Sequence, residues 1–181
     1  MSKMQRAKMR ARSRALAYGW FFALLAGAGG ITSPAFAGVD TPPTLAAANF
    51  DFRDTSGEVR DQTAEHEARL KAFEVTLRDG LSGNRKIELK ALTCQAEQCS
   101  AQAPGLVALA AQAKTAGVRY LLFGDIHKVS TLIGRVKFAV VDLQDDKPVC
   151  DRYMTYRGDT DEAWQHAAKF TVRDIAQNCF P

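Results

Sequence analysis

The sequence predicts a single α/β domain with a mixed sheet, in the order βαβαβββα, with the helices packed on the sheet. Two observations predict this class. In some segments apolar residues recur at every second position, which is typical of strands, and in others at every third or fourth position, which is typical of helices. The two kinds of segment alternate along the chain, as in α/β proteins. The last strands then follow one another across short polar turns, which is typical of an antiparallel meander.

The first half of the domain contains two strands and the helix between them. Residues 48–53 alternate apolar and polar side chains and predict the first strand, and residues 86–90 predict the second, with Ile87 and Leu89 facing the core. From about residue 58 to residue 81 the spacing is helical. The apolar stripe of this helix consists of His66, Leu70, Phe73, Leu77 and Leu81. The pattern indicates an amphipathic helix lying on the sheet.

The second half begins with an alanine-rich helix over residues 106–116 that ends at Gly117. Residues 118–126 are apolar almost throughout, as in a central strand that is covered on both faces. Residues 132–143 and 149–156 predict two further strands, and a last helix follows. The stripes of the two helices are Leu106, Leu109, Ala110 and Ala113 in the first, and Trp164, Ala167, Ala168, Thr171, Val172, Ile175 and Cys179 in the second.

Residues 1–37 predict a signal peptide. A basic segment ends at Arg14, an apolar stretch follows over residues 15–31, and the small residues Ala35 and Ala37 fit a cleavage site after Ala37. The apolar stretch falls short of the roughly 20 residues that a transmembrane helix needs. We therefore expect export to the periplasm of a Gram-negative host with no membrane attachment after cleavage, a loose segment over residues 38–47 and the domain over residues 48–181.

The basic charge of the chain belongs to this leader. Residues 1–37 contain six basic and no acidic residues, so 18 basic and 20 acidic residues remain and the rest of the chain sums to −2. A nucleic-acid-binding surface needs clustered Lys and Arg to neutralise phosphates. The sequence therefore predicts no nucleic-acid partner.

The chain contains four cysteines, Cys94, Cys99, Cys150 and Cys179. An oxidising compartment favours disulfides, and four cysteines allow three pairings. Spacing favours Cys94 with Cys99 and Cys150 with Cys179, of which the second would close about 30 residues and stabilise the fold by roughly 3–4 kcal/mol. Alternatively, Cys94 and Cys99 belong to a redox or metal-binding loop, although their spacer is wider than that of a C-x-x-C motif.

Catalytic patterns are weak. The three histidines, His66, His127 and His166, are scattered, and metal sites need clustered ligands. The chain contains no G-x-S-x-G, P-loop, H-E-x-x-H or G-x-G-x-x-G motif. Lys128 and Ser130 could form a nucleophile pair only with an oxyanion hole, which nothing supplies. We predict no catalytic residue, no metal and no cofactor.

The segment from Arg157 to Trp164 has two interpretations. Asp159 could cap the last helix with Glu162 as its capping-box partner. Alternatively, a polar patch recognises a partner or an anionic ligand where the hairpin meets the last helix. The residues of this patch would be Lys128, Ser130, Arg157, Asp161 and Trp164.

Two segments carry a resemblance to known families. Residues 124–133 read G-D-I-H-K-V-S-T-L-I and residues 157–164 read R-G-D-T-D-E-A-W. They resemble the G-x-x-x-K-V-S-x-L-I and R-G-[ND]-T-D-E-x-W motifs of a family of secreted proteobacterial proteins of unknown function, which also has a cysteine pair before its second helix. The element order is distantly similar to the N-terminal domain of the TolB family. These resemblances imply a fold and an extracytoplasmic location, and no activity.

These patterns together predict an exported, non-catalytic accessory or protein-interaction module with an unidentified periplasmic protein as its partner. The alternative is a thiol-redox or metal-handling protein that uses Cys94 and Cys99, with His127 as a further candidate residue.

Overall fold

The structure is a computed structural model that describes residues 41–94 and 99–180. The expected signal peptide lies outside these residues. The elements are β1 (Thr44–Ala47), β2 (Asp51–Asp54), α1 (Thr63–Ser82), β3 (Glu88–Lys90), α2 (Leu106–Thr115), β4 (Tyr120–Ser130), β5 (Ile133–Asp142), β6 (Lys147–Arg157) and α3 (Asp161–Asn178). Among the helices of this part of the chain, none is long and apolar enough to cross a membrane.

The strands form one mixed sheet in the order β3-β1-β4-β5-β6, and β2 also pairs with β4. Strands β1, β2 and β3 join the sheet in parallel pairs, whereas β4, β5 and β6 are antiparallel neighbours. The α/β class and the closing meander are therefore confirmed.

The first strand differs from its expected position. Two short strands replace the single strand expected at residues 48–53: β1 pairs with the start of β4, and β2 pairs further along the same edge of β4. Strand β1 lies within residues 38–47, for which we expected a loose segment. Leu45 and Ala46 are fully buried between β3 and β4. Packing against strands distant in sequence, which the local pattern does not report, thus fixes this segment.

The alternation of side chains along β4 divides the core into two layers. Leu122 and Ile126 face α1 and α3, while Leu121 faces α2 on the other side of the sheet. The apolar stripes expected of α1 and α3 are confirmed. The residues of both stripes, including His66 and Phe73 of α1, are buried or pack against the core. Helix α2 buries Leu109 and Ala113 and covers only one end of its face of the sheet.

Both favoured disulfides are present. Cys150 of β6 is bonded to Cys179 at the end of α3, with 5.1 Å between their Cα atoms. Cys94 is bonded to Cys99 in the connection between β3 and α2, with 5.6 Å between Cα atoms. The described part of the chain contains no free cysteine.

The cap of α3 is Thr160 and not Asp159. The Thr160 hydroxyl oxygen accepts a hydrogen bond from the Ala163 backbone N–H at 3.2 Å. Asp159 is unavailable for capping because its carboxylate points into the protein and binds other donors, so the expected capping box is wrong.

Candidate functional site

Asp159 lies at the centre of a buried charged cluster where β4, α1 and the β6–α3 turn meet. One carboxylate oxygen, Oδ1, accepts hydrogen bonds from Arg69 Nη1 and from the Trp164 indole N–H, each at 3.0 Å. The other, Oδ2, lies 2.9 Å from both His66 Nε2 and Lys128 Nζ. The Asp159 side chain is only 12% exposed. Its carboxylate therefore joins α1 and β4 to the start of α3.

Lys128 enters this cluster from the central strand. It continues the alternation of Leu122 and Ile126 on the core face of β4 and is 2% exposed. Its ammonium group contacts the carboxylates of Glu58 and Asp159 and the side-chain oxygen of Gln62, and it lies 3.7 Å from Asp54 Oδ2. A buried ammonium ion needs such partners, because desolvation otherwise favours its neutral form.

His66 and Arg69 contribute to the cluster from the first turns of α1. The His66 ring lies between Phe52, at a centroid distance of 4.8 Å, and Trp164, at 6.1 Å. Arg69 spans Asp159 and the more exposed Asp161, which accepts a hydrogen bond from Arg69 Nε at 2.8 Å. Residues three apart lie on the same side of a helix, so both side chains reach the same carboxylate.

Gly158 allows the chain to turn Asp159 inwards. Its φ angle of +94° lies in a region that other residues rarely adopt. Its backbone N–H donates a hydrogen bond to the Leu132 carbonyl oxygen at 2.9 Å, which ties the end of β6 to the β4–β5 hairpin. The glycine of the Arg-Gly-Asp tripeptide thus has a structural role in positioning the cluster.

The partners determine the charge state of the cluster. Burial raises the pKa of Asp159, but hydrogen bonds from His66, Lys128 and Trp164 outweigh burial and lower that pKa to about 2. Burial likewise lowers the pKa of Lys128, and hydrogen bonds to Glu58 and Asp159 reverse this effect and raise it. Both groups are therefore charged at neutral pH, where each neutralises the other.

The structure separates the five residues of the expected polar patch into two groups. Lys128 and Trp164 are buried, and both contact Asp159. The Asp161 side chain is 88% exposed. Ser130 is the last residue of β4, and its hydroxyl oxygen accepts a hydrogen bond from the Leu132 backbone N–H at 3.4 Å. Arg157 is exposed at the end of β6. These residues share one end of the sheet, but only three of them belong to the charged cluster or border it directly.

Sequence reasoning missed His66 and Arg69 as partners of Asp159, and Glu58 as a partner of Lys128. The available signal was the position of two polar residues on apolar faces: His66 on the stripe of α1, and Lys128 in step with Ile126 on β4. A polar side chain on a core face needs a buried partner. The identity of that partner depends on a contact between segments about 90 residues apart.

The opposite face of the sheet contains an open groove beside Ala101 and Gln102, in the connection that precedes α2. The groove has a volume of about 480 Å³, and its lining includes Phe123, Asp125, Lys137 and Asp151. His127 lies on this face and is 2.7 Å from the Thr55 hydroxyl oxygen. Burial and the nearby guanidinium groups of Arg53 and Arg135 lower the pKa of His127.

The residues of the alternative redox or metal function occupy different surroundings. Cys94 and Cys99 pack against the core layer beneath α2, whereas His127 contacts Thr55 beside β2. Within residues 41–94 and 99–180, no three His, Cys, Asp or Glu side chains are grouped so that they could hold a metal ion. His166 lies 3.9 Å from Glu162 on the exposed side of α3.

Comparison with known families confirms the expected resemblance. The model of a family described as "Protein of unknown function (DUF2380)" matches residues 43–175. No curated protein sequence matches the chain.

Several solved structures are similar in fold. The hypothetical protein CT253 from Chlamydia trachomatis is 12% identical, with a TM-score of 0.51 over 76% of this chain and 98% of that one. TolB from Acinetobacter baumannii is 13% identical, with a TM-score of 0.45 over 76% of this chain but only 28% of TolB. The LpoB C-terminal domain from Salmonella enterica is 17% identical, with a TM-score of 0.41 over 66% of this chain and 85% of that domain. At these identities the likeness concerns the fold alone.

Proposed function

We propose that this chain, which belongs to the family described as a protein of unknown function (DUF2380), is an exported, non-catalytic module that binds a partner protein. The observation that carries the proposal is the mutual neutralisation of the charged cluster around Asp159. Lys128 and Asp159 are the side chains there that a reaction would use, and each is buried against groups of opposite charge. A general acid or base needs a pKa near the working pH, and theirs move away from it.

The cluster instead supports the surface around it. We define the hairpin rim as the exposed residues Leu132, Arg157 and Asp161 together with the half-buried Ser130. Leu132 is 67% exposed although it is a large apolar residue, and its backbone carbonyl is held by Gly158 next to the cluster. An apolar side chain on a rigid turn, with charged neighbours, suits protein recognition, because little conformational freedom is lost on binding.

Two further observations support export. Disulfides persist in oxidising compartments, and this small domain contains two. The leader over residues 1–37 has the basic, apolar and small-residue regions of a signal peptide. We therefore propose that the partner is a periplasmic protein of a Gram-negative host.

Site-specific photo-crosslinking in the native host tests the rim. A photoreactive amino acid replaces Leu132 in one variant and Val107 in the control, because Val107 is an equally apolar residue, 86% exposed, on α2. We expect a defined protein adduct from position 132 and none of the same mass from position 107. The complex must then form again from the two purified proteins, with a measurable dissociation constant.

Two results would overturn the proposal. One is the same set of adducts from both positions, which indicates non-specific contact. The other is the absence of any adduct from position 132 in a chain that is exported and folded.

A further inference from the structure

Strand β6 leaves one long edge of the sheet open. It is the last strand in the sheet order, and in the described residues no other strand pairs with its outer side. From Cys150 to Arg157 it pairs residue by residue with β5, without proline or glycine. The proline and the register shift that interrupt this edge, at Pro148 and near Val141, are confined to its start. Along these eight residues, the backbone N–H and C=O groups of every second residue point away from β5 and are open to another strand.

Exposed apolar side chains flank this edge on both faces. Val149 and Tyr153, on the face away from α1 and α3, are 44% and 58% exposed. On the other face, Asp174 of α3 lies 3.8 Å from Arg152 of β6. Phe170, one turn before Asp174 on the same side of α3, is 45% exposed. A strand added to β6 would bring further apolar surface against these side chains.

We propose that the edge of β6 binds β6 of a second copy of this chain in an antiparallel pair, so that the two sheets continue as one. The charges along β6 select one register. Opposite residues of antiparallel strands share a face of the sheet. With the two copies of Met154 opposite each other, Asp151 lies opposite Arg157 of the second copy, and the symmetry repeats this pair.

Neighbouring registers lack this complementarity. Centring the pair on Asp151 or on Arg152 places like charges directly opposite each other, which is destabilising. Centring it on Tyr153 places Asp151 opposite Thr155 and leaves no pair of opposite charges. The Met154 register also places Tyr153 opposite Thr155, a combination of aromatic and β-branched side chains that suits neighbouring strands.

This inference goes beyond the proposed function, since it concerns the isolated protein and needs no other partner. Analytical ultracentrifugation of the purified protein over a range of concentrations tests it. We expect a reversible monomer–dimer equilibrium in the wild type. Asp151→Arg and Arg157→Asp should each weaken the dimer by about tenfold, because each change loses two ion pairs and creates two like-charge contacts.

The double variant, Asp151→Arg with Arg157→Asp, restores opposite charges at both pairs and should return the dissociation constant to the wild-type range. Asp145→Arg is the matched control. It reverses an exposed acidic residue in the β5–β6 turn, outside the paired segment, and should leave the dimer unchanged.

Three outcomes would overturn the inference. The wild type could remain monomeric at all concentrations, even if it binds a foreign strand. A dimer could form that neither single reversal weakens. The double variant could dimerise no better than the single variants. Arg157 belongs to the hairpin rim but Asp151 does not, so the comparison of the wild type with Asp151→Arg tests the dimer independently of the crosslinking result from position 132.

Discussion

Asp159 is the residue on which most of the site depends. Its carboxylate contacts four side chains from two helices and the central strand, namely those of His66, Arg69, Lys128 and Trp164. Burying these charges has a desolvation cost, and their close contacts offset it only as long as the set is complete. Loss of the carboxylate would leave Lys128 and Arg69 without their shared counter-ion.

We therefore expect Asp159→Ala to lower the free energy of unfolding by about 3–5 kcal/mol, the effect of removing one partner from a buried ion pair. A helix cap would contribute only about 0.5–2 kcal/mol. Urea denaturation measures the difference. Asp161→Ala is the control, because that side chain is 88% exposed and its loss should cost at most about 1 kcal/mol. A loss no larger for Asp159→Ala would contradict the central role of its carboxylate.

The same residue predicts a pH dependence. Its pKa is lowered from 3.8 to about 2 in the folded protein. A depressed carboxylate pKa stabilises the fold above the unfolded value, and this contribution is lost as the pH falls from about 4 towards 2. Denaturation midpoints measured from pH 5 to pH 2 should fall more steeply in the wild type than in Asp159→Asn. Parallel curves for the two proteins would show that Asp159 is not the titrating group.

Lys128 is buried, although the sequence predicted it in an exposed polar patch. It is 2% exposed and contacts the carboxylates of both Glu58 and Asp159. Its alanine variant would unfold or weaken the domain rather than test binding. Accessible rim positions such as Leu132 are the suitable sites for that purpose.

At the scale of elements, periodicity predicted the long segments and the short strand β3, but it misplaced the first strand. Helices α1 and α3 and the meander from β4 to β6 carry their own amphipathic patterns, so their positions were accessible from the sequence. Strands β1 and β2 have four residues each and are fixed by parallel pairing with β4, which lies about 75 residues further along the chain. No local pattern encodes such a pairing.

The turn between β6 and α3 is an element-scale test of the site. Gly158→Ala places a side chain at a φ angle of +94°, with the Ala163 Cβ atom only 3.4 Å from the added carbon. We expect a loss of about 1–3 kcal/mol in the free energy of unfolding. Gly57→Ala is the control for backbone strain alone, since that glycine also has a positive φ angle but nothing within 4 Å. Gly158→Ala should in addition weaken the Asp159 contacts, whereas Gly57→Ala should not.

The whole molecule combines a well-packed sheet with a helix layer joined to it at both ends. The Asp159 cluster connects the start of α3 to β4 and α1, and the Cys150–Cys179 disulfide connects its end to β6. Spacing and compartment predicted the disulfide, because few pairings were open. The cluster was not predictable, because its members come from three distant stretches of the chain, residues 54–69, Lys128 and residues 159–164.

The disulfide should stabilise the domain mainly by restricting the unfolded chain. We expect replacement of both Cys150 and Cys179 by alanine to lower the free energy of unfolding by about 3–4 kcal/mol. The Cys94–Cys99 disulfide closes a much shorter loop, with a sequence separation of 5 against 29. Replacing both of these cysteines by alanine should therefore lower the free energy of unfolding by less. Equal losses in the two variants, measured by urea denaturation, would contradict this ranking.

We propose that the charged cluster supports the fold while the hairpin rim binds the partner. This division of roles is tested by the dissociation constant of the purified partner for Leu132→Asp, alongside the thermal melting of the same variant and of Val107→Asp as control. We predict that Leu132→Asp weakens binding at least tenfold with an unchanged melting temperature, and that Val107→Asp binds like the wild type. Wild-type binding by Leu132→Asp would contradict a role of the rim in binding.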